Sequence, residues 1–478
     1  MQVPSAALEW AQESFGRCEL GDERRTRRLV SLGAQLACHA GESPARACRG
    51  DTAANEGAYR LLRNAQVTPR AIAEGGFQAT AWLAAQTPGD LLAVEDSTTL
   101  SYAHGVAEAL GDLGGKADAR RRGFIVHSVL MLAADSGRTL GLLEQSRWQR
   151  EVSARGTRHA RAERGYEEKE SYKWQVASEQ MAERLGETQR RVISVCDREA
   201  DVYEYLQYKV ECEERFVVRA SWNRRVTGAQ RHLFAALDDA PLRGTQGIQM
   251  AQRGGAQGRR ARQARVELRA GQVELRAPQG RGWLGKLTVN AVLAVERPPP
   301  SGETPLCWQW LTSEPVDTLE AVQRVLRYYA LRWRVEDFHK AWKSGAGVEA
   351  RRMQTADNLE RIAVMLAFVG VRLLQLREWL ASTPGEGESA RAAGECSCAG
   401  VLDELEWKVL WVTRHRRAPP AVAPSLKWAY ETLAQLGGWL DSKRTGRAGW
   451  AVLWAGWFRL QERVDAVRVS EQFLGKTK

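Results

Sequence analysis

A chain of 478 residues is longer than one simple core supports, so two to three domains are expected from usual sizes of about 100–200 residues. Its 69 Lys plus Arg against 58 Asp plus Glu leave a net charge of +11, which favours a polyanionic partner, nucleic acid ahead of anionic membrane. The longest helical apolar run, the ten residues Ile362 to Val371, is far short of the roughly 20 that span a bilayer, and no N-terminal signal pattern is present, so a soluble cytoplasmic protein without a membrane partner is expected. The eight cysteines are scattered, with Cys396 and Cys398 the one close pair and no second pair or His at zinc-finger spacing. Reduced thiols and no zinc site follow.

Along the first seventy residues, "GDERRTRRLVSLGAQLA" and "NEGAYRLLRN" read as short helices broken at Gly21 and Gly41, which makes 1–70 a helical domain. From Leu91 the texture changes. "LLAVED" is a short apolar run ending in an acid, and "GFIVHSVLMLAA" and "RTLGLLEQSRW" are strands joined by a turn at "DSG". "ESYKWQVASEQMAERL" is helical, "RVISVCD" is a second apolar run ending in an acid, "ADVYEYLQYK" is helical and "ERFVVRA" is a strand. Three strands, helix, strand, helix, strand is a mixed α/β layer order. The Arg-, Gln- and Gly-rich region from about 221 to 310 carries "ARVELRAG", "QVELRAP" and "LTVNAVLAV", expected as antiparallel strands with basic turns. It reads as an insertion in an α/β domain spanning 71–375, because a helix with a candidate acid follows it. After Asn358 the chain is helical, with a loop expected at "STPGEGESARAAGECSCAG" and a helical domain over 376–478.

The stretch Tyr328 to Gly345, "YYALRWRVEDFHKAWKSG", predicts one helix of four to five turns. At about 100° per residue, Leu331, Val335, Phe338 and Trp342 form its apolar stripe, while Tyr329, Arg332, Glu336, Lys340 and Lys343 fall within roughly 80° on the opposite side. Such a face is commonly only solvated, with i,i+4 pairs along it. Two further acids change the weight. Asp96 and Asp197 each end a predicted buried strand, where a parallel pair would bring them together at the sheet edge. Three carboxylates from two strands and a helix make a costly cluster of like charge unless divalent cations neutralise it, and hard oxygen ligands suit Mg²⁺ or Mn²⁺. Two such ions about 4 Å apart activate an attacking oxygen and stabilise the leaving oxygen of a phosphodiester. Arg332 and Lys343 would then bind phosphates beside the scissile bond, and Tyr329 would add a hydroxyl.

The spacing Tyr329, Arg332, Glu336, Lys343 resembles the Tyr-Arg-Glu-Lys signature of the bacterial cut-and-paste DDE transposases of the insertion-sequence-four group. The likeness runs nearly end to end, through "WAQESFGRCELGDERRTRRLV", "EGAYRLLRN", "VEDSTTLSY", "VHSVL", "VCDREADVYEYLQ", "RFVVR", "LTVNAVLA", "LTSEPV", "RWRVEDFHKAWKSGAG" and "LGGWLDSKRTG". It implies that Asp96, Asp197 and Glu336 are the catalytic triad and the ligands of two Mg²⁺ ions per active site, with Mn²⁺ able to substitute. It also implies an α/β fold, an RNase H-like catalytic core with an inserted antiparallel β subdomain, between an N-terminal helical DNA-binding domain and a C-terminal helical domain that dimerises. The partners implied are double-stranded DNA, as inverted-repeat ends and target, and a second copy of the chain, in a bacterial cytoplasm and on the nucleoid.

The resemblance also assigns individual side chains. Trp308, three residues ahead of Leu311, stands where the family stacks a base flipped out during hairpin formation, although Trp308 or Trp310 also fits a strand core. Trp333 would wedge beside the same base, Lys340 would join the DNA contacts, and Arg219 matches a phosphate-binding position. Two residues after Arg219 the family's lysine is Ser221 here. Arg24, Arg25 and Arg28 open a helix of the end-recognition domain, where they would grip phosphates or read guanine edges. The apolar series Trp450, Leu453, Trp454, Trp457, Leu460 is either core or the dimerising surface. A catalytically silent end-binding relic and a nuclease without strand transfer are the competing readings. Intact acids speak against the first and the Tyr-Arg-Glu-Lys helix against the second.

Overall fold

The computed structural model describes residues 7–113, 121–150, 164–250, 261–298, 302–381, 397–440 and 448–475. Of the loop expected over 382–400, residues 382–396, with Cys396, lie outside the described residues, as do the basic turn at 251–260, the end of "LGGWLDSKRTG" and the Trp450 side chain, while Cys398–Gly400 form a short 3-10 turn. The remaining cysteines are free thiols.

Helices open the chain: α1 (Ala7–Phe15), α2 (Glu23–Cys38), α3 (Pro44–Ala47), α4 (Thr52–Arg63) and α5 (Pro69–Gln86). Gly21 and Gly41 sit at φ +74° and +88° between them, a left-handed backbone that glycine adopts without a Cβ penalty. Asp22 caps α2 by accepting from the Arg24 amide at 2.8 Å. The apolar faces of these helices do not close on themselves. Phe15, Leu29 and Phe77 belong to the same buried cluster as Leu92, Val94, Trp342 and Phe368.

A single sheet forms the middle of the molecule. Its strands are β1 (Leu91–Tyr102), β2 (Gly111–Asp112), β3 (Arg122–Ala133), β4 (Thr139–Trp148), β5 (Val192–Cys196), β6 (Arg215–Arg219), β7 (Leu242–Met250), β8 (Arg262–Arg276), β9 (Lys286–Glu296) and β10 (Cys307–Thr312). They lie in the order β2-β3-β1-β5-β6-β10-β9-β8-β7, with β4 also on β3. β1 is antiparallel to β3 and parallel to β5, and β5 is parallel to β6. Parallel neighbours need crossovers, supplied by α6 (Lys173–Leu185) before β5 and α7 (Tyr203–Glu211) before β6.

The inserted strands continue this sheet through the β10 to β6 pairing instead of forming a separate layer. "ARVELRAG" and "QVELRAP", expected as two strands, are the one strand β8: Ala270, Gly271 and Gln272 pair in unbroken register with Val292, Ala291 and Asn290, so Gly271 makes no turn. The insertion also holds a short helix, α8 (Leu233–Asp238), that the alternating pattern did not indicate.

The expected helix over 328–345 is two helices and a widened turn. α9 (Leu319–Leu331) begins a full two turns earlier, capped by Thr318, and α10 (Trp333–Lys340) follows. The backbone tightens at Arg332, whose amide donates to the Tyr329 carbonyl at 3.1 Å. It then loosens into a π-helical turn over Ala341–Gly345, where the Ala346 amide reaches back to Ala341 at 2.8 Å. Tertiary packing accounts for the turn. Trp342 is fully buried against α11 (Ala356–Ala381) and donates its indole N–H to the Ala363 carbonyl at 3.1 Å.

Beyond α11, α12 (Glu404–His415), α13 (Leu426–Leu436) and α14 (Trp450–Gly475) enclose a further apolar cluster. Leu453, Trp454, Trp457 and Leu460 are all buried by this chain's own helices, so these four residues of the series are core.

Gly370 of α11 makes the close approach to the π turn possible, since a Cβ there would stand 3.0 Å from the Trp342 Cα. Gly370→Val should therefore destabilise the protein by about 1–3 kcal/mol, despite valine's better helix propensity. Urea unfolding checks this, and an unchanged midpoint would show that the turn is not held by this contact.

Candidate active site

The parallel register of β1 and β5 runs from Leu91 opposite Val192 to Val94 opposite Val195. Asp96 and Asp197 each lie two residues beyond that last pair, so the two acids stand at the same level on neighbouring strands. Asp197 ends its strand as expected. Asp96 does not: β1 continues to Tyr102, because its other edge stays paired with β3 as far as Tyr102 opposite Arg122. Asp96 is thus a mid-strand residue at the point where one edge of β1 loses its partner.

Backbone amides orient both carboxylates. Asp96 accepts from the Ser97 N–H at 2.8 Å, and Asp197 caps the following turn by accepting from the Glu199 N–H at 2.8 Å. Glu336 reaches the pair through a cation. Arg332, only 7% exposed, donates to Asp96 at 3.2 Å and to Glu336 at 2.8 Å. Burial first, and the neighbouring Asp197 next, push the Asp96 carboxyl up to about 6; Arg332 and the Ser97 amide oppose the shift, and Glu336 adds to it.

Among the described residues no three His, Cys, Asp or Glu side chains are gathered closely enough to hold an ion. The reason is local, since the Arg332 guanidinium stands between Asp96 and Glu336 as their countercharge. The donor set, three carboxylates and no thiolate or imidazole among them, still suits a hard divalent cation.

The remaining expected residues surround this centre unevenly. Tyr329 packs edge-on to the buried Trp310 at 5.4 Å, and the Arg219 guanidinium lies 6.0 Å from both rings. Trp310 takes the core position, whereas Trp308 is half-buried. Trp333 is 57% exposed, with Arg332 over its ring at 5.6 Å. Lys343 is partly buried, and burial pushes its ammonium below the ordinary range, with Glu349 opposing. Lys340 turns outward and lies 3.8 Å from Asp337, not beside Glu336. In the helical region Arg24 is exposed, Arg25 donates to the Leu20 carbonyl at 2.8 Å, and Arg28 lies against Gly57 of α4.

Sequence reasoning missed the layer behind the acids. Glu95 and His127 are buried on the opposite face of β1 and β3, 3.3 Å apart, and His127 also meets the Ser97 hydroxyl at 3.1 Å. On the face of the acids, His339 of α10 meets the Ser128 hydroxyl at 3.2 Å, and burial above all pushes it down to about 3, so it is neutral. Both histidines stand in segments quoted above, and the period-2 alternation of β1 and β3 was the available signal.

Comparison with known families decides what this arrangement belongs to. Residues 7–67 match the model described as Transposase DNA-binding, and residues 45–370, well over half of the chain, match the model described as Transposase DDE domain. The chain belongs to the DDE transposase family. A DDE transposase cleaves DNA and transfers strands, and such domains generally use divalent metals. In this transposase the DNA-binding match covers α1 to α4, so DNA is its partner.

The raised Asp96 carboxyl makes a stability prediction for the metal-free transposase. A folded-state value above the ordinary 3.8 means that ionisation costs stability, a cost absent well below the ordinary value and complete once pH passes about 6. In chelator, Asp96→Asn should gain on the wild type between about pH 5 and pH 8, by on the order of 2 kcal/mol. Thermal unfolding at the two pH values reads the difference, and a gap that does not grow with pH would contradict it.

Proposed function

We propose that this transposase is a cut-and-paste enzyme of the insertion-sequence-four group, most like the Tn-five transposase, which excises its element through a DNA hairpin and inserts it into target DNA. The observation that carries the reading is the meeting of Asp96 and Asp197 at one level of two parallel strands, with Glu336 tied to Asp96 through Arg332. The strand order β4-β3-β1-β5-β6, three antiparallel strands followed by two parallel ones, supports an RNase H-like core. Bacterial origin, a cytoplasmic and nucleoid location and a homodimeric end complex complete the reading. The dimer would use surfaces other than the buried tryptophans of α14.

Asp96, Asp197 and Glu336 would hold two Mg²⁺ ions, or Mn²⁺, which supply an activated attacking oxygen and charge neutralisation at the leaving oxygen. The chain's own residues do the rest. Arg332, released from Asp96, turns its planar fork to a phosphate beside the scissile bond, and Lys343 adds a point charge. Tyr329 donates its hydroxyl to a phosphate, Arg219 grips the backbone, and Lys340 contacts the DNA farther out. The half-buried Trp308 offers an aromatic face for an extruded base, with Trp333 beside it. Arg24, Arg25 and Arg28 serve end recognition, with Arg24 the most accessible of the three.

A gel resolving uncut, nicked, hairpin and released products of a labelled terminal repeat tests the assignment. Glu336→Ala should leave only uncut DNA. Trp308→Ala keeps all three acids and loses stacking worth roughly 1–3 kcal/mol, so nicked DNA should accumulate ahead of the hairpin. Equal loss of nicking in both variants would make Trp308 a structural residue.

A further inference from the structure

Three residues past Arg219, on the loop that leaves β6, the Trp222 indole is 64% exposed. β6 runs parallel to β5, so this loop leaves the sheet at the edge where Asp197 stands. An indole left in water contributes little to a core, and a loop that displays one needs another reason to hold it still.

The loop is held firmly. Asp201, four residues after Asp197 and only 2% exposed, accepts from the Ser221 amide at 2.7 Å and the Trp222 amide at 2.9 Å. Its second oxygen takes the Arg224 guanidinium at 3.0 Å, and the Ser221 hydroxyl donates to the Arg198 carbonyl at 3.3 Å. One buried carboxylate therefore holds the backbone amides that lead into an exposed aromatic, takes the Arg224 side chain beyond it and joins the loop to the turn that carries Asp197. Arg198 is exposed on that turn, and Arg219 ends the strand before it.

We propose that Trp222 is a DNA-stacking residue, whose indole takes a nucleobase unstacked close to the cleavage site while Arg198 and Arg219 face the adjoining phosphates. The proposal rests on the transposase reading. Every base offers a π face, and an aromatic already fixed by its backbone loses little freedom on stacking. Arginines beside it supply the backbone attraction that stacking lacks.

The test uses the full-length protein and a duplex of the element's terminal repeat, with 2-aminopurine placed in turn at positions around the cleavage site. Wild type should change the probe's fluorescence at one or two positions. Trp222→Ala should lose the change at one position, one where Trp308→Ala keeps it, and bind about tenfold more weakly, and Trp222→Phe should keep most of both. An abasic nucleotide at the responding position should bring wild type and Trp222→Ala to the same affinity. Trp222→Ala behaving as wild type at every position would overturn the proposal, as would an affinity gap that survives the abasic substitution, which would point to a protein contact. Wild type binding the repeat no better than an unrelated duplex would overturn the end-binding reading itself, and this proposal with it.

Discussion

Two half-buried carboxylates held side by side repel each other, and the elements around Asp96 and Asp197 are arranged about that repulsion. Strand pairing fixes Asp96 and Asp197 at one level, so neither retreats without breaking the register of β1 on β5. Arg332 is the countercharge to Asp96, and it is itself buried. To reach Asp96 from a helix that also presents Glu336, the backbone tightens at the α9 to α10 junction. One turn beyond Glu336, His339 is neutral and seated on Ser128, so the helix brings no further charge against the sheet. A buried ion pair of this kind is weak evidence for stability but strongly selects one arrangement of its neighbours.

The segment after the π turn joins the two halves of the molecule. Ser101 near the end of β1 donates its amide to Glu349 at 2.8 Å, and His104 meets the Arg351 carbonyl at 2.7 Å. The Arg351 guanidinium donates to the carbonyls of Gly41 and Glu42, in the DNA-binding region. The segment after α10, the strand bearing Asp96 and the loop after α2 are thus linked by a few part-buried contacts. Apolar packing reinforces the link, since Phe15 and Phe77 both lie against Phe368 of α11. The regions that match the DNA-binding and DDE models share one core.

Much of this was legible in the sequence because the signals were periodic or local. The order of strands and helices from Leu91 to Arg219 follows from apolar runs and helical spacing, and of the expected stripe Val335, Phe338 and Trp342 are buried while Leu331 is half-buried. What escaped were features set by tertiary contact. No pattern in "YYALRWRVEDFHKAWKSG" announces a break at Arg332, because the break exists to bring its guanidinium to an acid 236 positions away. Gly271 reads as a turn locally, yet β9 pairs across it. Lys340 shares a helical wheel sector with Glu336 but lies beside Asp337, while Glu336 takes the Arg332 guanidinium. The tryptophans of α14 were ambiguous until the helices covering them were known.

Asp96, Asp197 and Glu336 would form one divalent-metal centre once Arg332 is displaced. Loading the protein with Fe²⁺ in place of Mg²⁺ and generating hydroxyl radicals with ascorbate and peroxide cuts the polypeptide close to the bound ion, and end-labelled protein maps the cuts. The account predicts cuts clustered around residues 96, 197 and 336, suppressed by excess Mg²⁺ and absent from Asp197→Asn. Cuts elsewhere that Mg²⁺ does not compete away, or an unchanged pattern in that variant, would contradict it.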